Sequence, residues 1–203
     1  FAWGETQTKN TFETNNYKYF NPRITEYHNR ITKYCNEYKD GYNGYTDKLI
    51  ALESTDDVAA LSWGGNWKMP DKMDFEELVK FCTSFYIKYN GINGICFTGP
   101  SGNSIFLPFG GQSYNIDTNE VGAYWSSSLC LGNDYYPLYR KIGWKWSCQD
   151  AWSLEVEHYE ACFPNITGRN REDGKNIRPV FNPKKCQMQS NCSYFSASFS
   201  NIY

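Results

Sequence analysis

The sequence predicts an α+β fold with one main amphipathic helix, a second short helix, and short twisted antiparallel sheets in a loop-rich chain. Two observations predict this class. An apolar stripe with helical spacing follows Pro70, and after residue 90 glycines and prolines separate short runs of strand-forming residues. The 203 residues are enough for a single hydrophobic core, so we expect one domain with a short appendage.

The main helix is predicted to begin at Asp71, whose side chain can cap it together with Asp74 three residues later. Apolar residues then recur at steps of three and four, which is typical of a helix with one buried face. This stripe comprises Phe75, Leu78, Val79, Cys82 and Phe85. Trp67 and Met69, just before the helix, are expected in the core.

A shorter helix is predicted upstream, where the sequence Ser-Thr-Asp-Asp at 54–57 supplies capping acids ahead of the apolar residues 58–61. Gly64 and Gly65 should end it. Residues 6–48 are rich in Asn, Tyr, Thr and Gly. They predict an extended, loop-heavy surface segment with a short helical turn near 24–34.

Strands are predicted in the remainder of the chain. Runs 95–97 and 104–108 lie between turn-forming residues, which is typical of small antiparallel strands. Segments 124–129 and 151–156 alternate bulky and polar residues and predict strands with one buried face. Residues 177–181 are expected to close the sheet.

The composition argues against polyanionic partners and favours an aromatic binding surface. A formal net charge of -2 argues against nucleic acid and membrane surfaces as partners, and no apolar run is long enough to span a bilayer. Aromatic residues make up 18% of the chain, more than one core of this size needs. Exposed Tyr and Trp are typical of binding surfaces. The alternative is that bulky residues simply fill strands.

The eight cysteines include no Cys-x-x-Cys pair and the chain has only two histidines, so zinc-site spacing is absent. We expect disulfides rather than a metal or cofactor, and hence an oxidising compartment. Cys186 and Cys192 predict a small disulfide loop in a tail at 184–203, after a domain at 1–183. The chain opens on Phe1 in a context typical of the middle of a strand and turn, so further residues are expected upstream.

Four blocks occur in order along most of the chain: Ala-Trp-Gly-Glu-Thr at 2–6, Trp-Gly-Gly-Asn-Trp-Lys-Met-Pro at 63–70, Gly-Asn-Ser-Ile-Phe-Leu-Pro at 102–108, and Tyr-Trp-Ser-Ser-Ser at 124–128 with Ile-Arg-Pro-Val at 177–180. Together they resemble the Fibrobacter succinogenes major paralogous domain family. That family is similar to the C-type-lectin-like group, which includes retroelement-diversified variable proteins and relatives of the formylglycine-generating enzyme. The resemblance implies a C-type-lectin-like domain and a Cys35–Cys82 disulfide.

The resemblance also implies a location and a binding surface. Members look like exported, often lipid-anchored, surface proteins of Bacteroidetes, and a phage particle is the alternative location. The ligand-facing surface would lie in 129–176, where rigid rings and adjustable polar groups resemble a paratope. We expect these residues to contact a protein or glycan on another cell or particle: Asp134, Tyr135, Tyr136, Tyr139, Trp144, Trp146, Glu157, His158, Tyr159 and Arg169.

The alternative for this segment is a loop-rich lid packed on itself by Cys130, Cys148 and Cys162, and Trp152 is the aromatic residue most expected in the core. The predicted function is that of an adhesin or receptor-binding domain. A structural subunit of a surface or phage appendage is the second possibility, and a formylglycine-type oxidase is the third. Cys148 and Cys162 lack the spacing of that enzyme's reactive pair.

No catalytic constellation supports an enzyme. His28 and His158 are isolated in the sequence, without a recognisable Ser-His-Asp arrangement. Glu155 and Glu157 lie two apart on one predicted strand, which is more typical of a solvated edge than of a glycosidase pair. The loop motifs of calcium-dependent lectins do not occur. We therefore expect a binding protein without catalytic or metal-ligating residues.

Overall fold

The computed structural model describes residues 1–26, 28–112, 120–131, 148–158 and 164–182. Within these ranges the chain is α+β, as predicted, with two short α-helices and three small antiparallel sheets. None of the described helices is long and apolar enough to cross a membrane. The predicted tail at 184–203 lies outside the described residues.

The two helices are α1 (Val58–Trp63) and α2 (Lys72–Phe81). Short 3₁₀ turns at Thr14–Asn16 and Tyr42–Gly44 interrupt the otherwise irregular N-terminal segment. The strands are β1 (Trp67–Lys68), β2 (Thr83–Tyr89), β3 (Ile92–Thr98), β4 (Ser104–Pro108), β5 (Val121–Cys130), β6 (Asp150–Glu157), β7 (Asn165–Asn170) and β8 (Val180–Phe181). They form one sheet of β2, β3 and β4, a central sheet of β5, β6 and β7, and a pair of β1 with β8.

Asp57 begins α1, as the sequence predicted. One carboxylate oxygen accepts hydrogen bonds from the amides of Ala59 at 2.8 Å and Ala60 at 3.0 Å, which would otherwise lack partners in the first turn. The other oxygen accepts from the amide of Met69 at 2.9 Å. The helix ends at Gly64, whose φ of 66° suits a residue without a side chain. Asp57 therefore caps α1 and also fixes the chain that leads into α2.

The start of α2 confirms the predicted capping box. The Asp71 side chain accepts from the Asp74 amide at 2.9 Å, and the Asp74 side chain accepts from the Asp71 amide at 2.8 Å. The predicted end was wrong, because the helix stops at Phe81 and Cys82 already has an extended backbone. Phe85 belongs to β2 and not to the helical stripe.

A hairpin turn explains why the helix stops early. Asn90 and Gly91 have φ values of 48° and 83°, the left-handed pair that a two-residue hairpin turn requires. They join β2 to β3, with Tyr89 opposite Ile92. The residues of β2 are mostly aromatic, β-branched or hydroxyl-bearing, and such side chains fit a pleated sheet better than a helix. The Asn-Gly pair thus outweighs the apparent helical spacing of Phe85.

The N-terminal segment is loop-heavy, as predicted, and many of its described residues lie on the surface, but several of its apolar and aromatic residues are buried. Its described residues near 24–34 form isolated bridges, Phe20 with Ile31 and Ile31 with Gly41, and not a helical turn. Tyrosine hydroxyls make this burial possible because they satisfy backbone carbonyls while their rings pack. Tyr17 donates to the carbonyl of Trp3 at 2.8 Å, and Tyr19 donates to that of Gly4 at 2.9 Å.

Two hydrophobic cores result. The first core is built mainly by the N-terminal segment together with one face of the central sheet, and it includes Trp3, Tyr17, Tyr19, Phe20, Ile31, Tyr34, Met69, Trp125 and Ala151. The second core lies between α2, the sheet of β2 to β4, and the other face of the central sheet. Its buried residues are Phe75, Ile95, Phe97, Leu107, Phe109, Tyr124, Leu154 and Val156.

The central sheet therefore has both faces covered, and the prediction of one buried face for β5 and β6 was wrong. Their alternating residues enter different cores: Trp125 and Ala151 the first, Tyr124 and Leu154 the second. β8 does not close this sheet, because Val180 pairs with Lys68 of β1.

We expect Asp57→Ala to lower the free energy of unfolding by about 2 to 3 kcal/mol, since it removes a helix cap and leaves the buried Met69 amide without a partner. Asp71→Ala, which removes the partly exposed cap of α2, should cost only about 1 kcal/mol. Urea unfolding of both variants measures the difference. Equal losses would contradict the linking role of Asp57.

Candidate functional site

The predicted binding segment, residues 129–176, includes strands β6 and β7, and its two connections join β6 at opposite ends. Residues 132–147 connect β5 to β6, where Cys130 lies opposite Asp150. Residues 159–163 connect β6 to β7 and follow Glu157, which lies opposite Val121 at the other end. Because β6 has eight residues, these two ends are about 23 Å apart. The predicted contacts are therefore anchored at two separate places on the scaffold.

Three of the ten predicted contact residues lie in the described part of the chain, namely Glu157, His158 and Arg169. The other seven lie outside the described residues: Asp134, Tyr135, Tyr136, Tyr139, Trp144, Trp146 and Tyr159. Trp152, predicted to be core, is confirmed as buried.

The structure does not gather the three described residues into one site. Glu157 ends β6, whereas Arg169 lies in β7 opposite Ala151, near the other end of the sheet. The ring of His158 is exposed and lies 4.0 Å from the ring of Tyr86 in β2, centroid to centroid. His158 is thus part of the boundary between the two three-stranded sheets.

Arg169 makes a two-pronged ion pair with Glu155. Its Nε donates to Oε1 at 2.9 Å, and its Nη2 donates to Oε2 at 2.6 Å. The same Oε1 accepts from Lys175 Nζ at 2.9 Å, and Lys175 also donates to Gln112 Oε1 at 2.8 Å. This carboxylate cluster fixes the guanidinium of Arg169 by an internal partner. Arg169 therefore has an internal partner, while 40% of its side chain stays exposed.

The solvated-edge prediction for Glu155 was wrong, because only 3% of the residue is exposed. Burial alone would raise the pKa of its carboxyl group, but the hydrogen bonds and charges of Arg169 and Lys175 hold that pKa below its ordinary value. Glu157, two residues further along, stays partly exposed. The two carboxylates therefore differ in environment.

Arg171, also within the predicted binding segment, is completely buried. Its Nη1 donates to the carbonyls of Lys33 and Tyr34, both at 3.2 Å. Its backbone amide donates to the Gln149 carbonyl at 3.0 Å. The guanidinium carbon lies 5.5 to 5.8 Å from the centroids of three rings, those of Trp3, Tyr17 and Phe20. This arginine belongs to the scaffold.

A different surface brings three of the exposed large apolar side chains of the described residues together on one sheet. Alternate residues of β2, β3 and β4 point away from the second core, and we call this surface the outer face. Phe85, Tyr89 and Ile92 are each about half exposed there. The Phe106 ring lies over Gly94, where an added Cβ would sit 2.5 Å from the ring. The large side chains of the outer face are Phe85, Ile87, Tyr89, Ile92, Cys96 and Phe106.

The outer face has no charged residue at any of its strand positions. Its polar groups are hydroxyls, and Thr98 and Ser104 share a hydrogen bond of 2.8 Å at one end. The helical spacing of Phe85 with the residues of α2 hides this surface in the sequence. Asn90-Gly91, flanked by alternating strand-forming residues, was the signal that could have found it.

The cysteines are arranged differently from the pairing that the resemblance implies. Cys35 lies in the first core, with its Sγ 3.4 Å from the Sγ of Cys148. Cys82 packs against the second core, so a Cys35–Cys82 disulfide is not compatible with this fold. The reason is that the N-terminal segment packs on the opposite face of the central sheet from α2. Cys162 lies outside the described residues.

The described residues form no recognisable catalytic or metal site. His28 is not isolated, since its Nδ1 lies 2.7 Å from Oδ1 of the buried Asp40. Among the described residues, no group of three or more His, Cys, Asp and Glu could hold a metal ion. Comparison with known proteins adds no family, because no family model, curated protein or solved structure matches the chain.

Glu155→Ala should lower the free energy of unfolding by about 3 to 5 kcal/mol, because it leaves the ammonium group of Lys175 buried without its carboxylate. Glu157→Ala, on the same strand but partly exposed, should cost less than about 1 kcal/mol. Denaturant unfolding compares the two. Similar losses of unfolding free energy in the two variants would contradict a stabilising role for the ion pairs of Glu155.

Asp150 gives a pH-dependent prediction. Burial, followed by the charge of Glu172, raises the pKa of its carboxyl group to about 6. Its ionisation therefore opposes folding, and stability from this group is complete below pH 3.8 and is lost as the pH rises through 6. We expect Asp150→Asn to stabilise the fold by about 1 to 3 kcal/mol at pH 8 and not at pH 4. An equal effect in unfolding measurements at both pH values would contradict this cause.

Proposed function

We propose that this chain is a non-catalytic binding module displayed outside the cell, and that its outer face binds an apolar patch of a protein partner. One observation carries the proposal. Phe85, Tyr89 and Ile92 are each about half exposed on one uncharged sheet face. Soluble domains seldom expose contiguous apolar surface of this kind unless it contacts a partner.

The geometry of the outer face suits binding. Its side chains are held on three hydrogen-bonded strands, so their positions are fixed before a partner arrives. Tyr89 and Phe106 already contact each other, with ring centroids 5.7 Å apart. Rigid aromatic residues contribute large contact areas at a small cost in conformational entropy.

The chemistry of this face favours a protein over a glycan. Small polar ligands such as sugars are usually held in a concave pocket with a few convergent polar groups. The outer face offers Ile87, Ile92 and aromatic rings, with only hydroxyl groups as polar partners. A protein surface of matching apolar character would bury it without leaving unpaired polar atoms.

We also infer a C-type-lectin-like arrangement, a relationship to the Fibrobacter succinogenes major paralogous domain family, and export to the cell surface or a phage particle. The scaffold positions of the resembling blocks support this inference. Trp3, Met69, Leu107 and Trp125 each come from a different block, and all are almost completely buried. Residues that fix a fold are expected at such positions.

A second candidate function is that of a structural subunit of a surface appendage. The same observation favours it, because an uncharged apolar face can also pack against a copy of itself. Sedimentation of the purified chain separates the two functions. A monomer with the outer face free supports the binding module, whereas a dimer or polymer that dissociates after a charge is placed on the outer face supports the subunit.

The binding module is tested with the double variant Phe85→Lys and Ile92→Lys, which places charges on the outer face. Leu61→Lys with Met73→Lys is the matched control, because both residues are exposed on helices. Fluorescently labelled protein is applied to panels of bacterial and epithelial cells, with and without surface proteolysis, and to a glycan array. We expect proteolysis to abolish binding and the outer-face variant to weaken it at least about tenfold, with the control unchanged.

The same assay includes replacement of Tyr135, Tyr136, Trp144 and Trp146 by Ala. Loss of binding in this variant alone would move the site to residues 132–147 and overturn the outer-face assignment. Binding to glycans that survives proteolysis of the cells would overturn the protein partner. Absence of binding to every cell and glycan would overturn the binding module.

A further inference from the structure

Two buried thiols face each other at the boundary between the N-terminal segment and the central sheet. Cys35 Sγ and Cys148 Sγ are 3.4 Å apart. Cys35 is 0% exposed and Cys148 is 2% exposed, and Cys148 lies two residues before β6. The two cysteines are separated by 113 positions in the sequence, so only the tertiary fold brings them together.

The surroundings favour ionisation of one thiol. The pKa of Cys148 is lowered, chiefly because the Cys35 thiol donates a hydrogen bond to it. Burial opposes this shift, as does the carboxylate of Asp40, whose Oδ2 lies 3.8 Å from Cys148 Sγ. The Glu37 and Asn36 amides and the Arg171 charge favour the thiolate. The guanidinium of Arg171 also has two buried nitrogens, Nε and Nη2, that find no hydrogen-bond partner within the described ranges. A positive charge beside a thiol is the environment in which thiol–disulfide exchange proceeds readily.

We propose that Cys35 and Cys148 form a disulfide that fastens the N-terminal segment to the start of β6. The bond forms by exchange with a disulfide oxidant, either a small molecule or an oxidoreductase. The Cys148 thiolate attacks one sulfur of the oxidant and releases the first thiol. Cys35 then loses its proton and displaces the second thiol, so the two protein thiols are oxidised while one oxidant disulfide is reduced.

This disulfide would stabilise the N-terminal segment, which has few backbone hydrogen bonds to the sheets. The N-terminal segment supplies much of the first core but contributes only isolated bridges and no strand of a sheet. A disulfide that closes so long a loop restricts the unfolded chain strongly. Because both thiols are buried in the folded chain, the exchange should occur late in folding, when Cys35, Cys148 and Arg171 have come together and the oxidant can still reach them. This inference does not depend on the proposed binding function.

The pairing is tested directly by mass spectrometry. The full chain is folded in a glutathione redox buffer, free thiols are alkylated, and the protein is digested without reduction. Trypsin and a glutamate-specific protease together leave Cys35 on residues 34–37 and Cys148 on residues 146–155, each without another cysteine. We expect these two peptides to be linked. Linkage of either cysteine to another one, or alkylation of both, would overturn the pairing.

Thermal unfolding with and without reductant gives an independent test. Reductant should lower the Tm of the unaltered chain by roughly 10 °C. In a Cys35→Ala and Cys148→Ala variant, this reductant-dependent drop should be largely lost. The matched control, Cys82→Ala with Cys96→Ala, should keep it. If Cys35 and Cys148 only fill space as free thiols, their double variant should have a lower Tm than the unaltered chain. Reductant would then change the Tm of the unaltered chain and of both variants by the same amount, which would contradict the disulfide.

Discussion

The buried guanidinium of Arg171 joins three parts of the chain that share no sheet. Its Nη1 donates to carbonyls of the N-terminal segment at Lys33 and Tyr34, and its backbone pairs with Gln149 before β6 and with Trp3 near the start of the chain. A charge in this position is tolerated only because carbonyl oxygens and aromatic faces replace water around it. The first core is therefore organised around a polar group. The packing of the first core depends on the path of the chain directly after β7, because Arg171 is the first residue beyond that strand.

The carboxylate cluster repeats this principle on the same side of the central sheet. Glu155 is held between Arg169 and Lys175, so these charged residues next to the central sheet have partners within the chain. By contrast, the outer face of the sheet of β2 to β4 has no charged residue and exposes apolar side chains. The charged residues beside the central sheet are thus paired internally, whereas the sheet of β2 to β4 exposes rings. This distribution supports recognition by contact area, in which shape and apolar burial dominate over charge.

The thiol pair of Cys35 and Cys148 belongs to the same boundary as Arg171. Both features hold the N-terminal segment against the central sheet, one by hydrogen bonds to carbonyls and the other by the disulfide that we propose. A segment without regular strands loses much conformational entropy when it is ordered, and its own backbone ladder cannot offset that loss. Buried tyrosines with satisfied hydroxyls, the arginine and the sulfur pair together account for how a loop-heavy segment can form a core.

The sequence by itself determined the α+β class, both helix starts and most of the strands, because capping residues, apolar spacing and turn residues act over a few neighbouring positions. Asp57, Asp71 and the core position of Trp152 could be predicted for this reason. The local turn signal of Asn90-Gly91 could also have placed Phe85 in a strand, but only the tertiary structure decided that Glu155 and Arg171 are buried, and that Cys35 meets Cys148. These facts depend on which surfaces cover one another, and residues more than a hundred positions apart leave no periodic pattern in the sequence from which such contacts could be predicted.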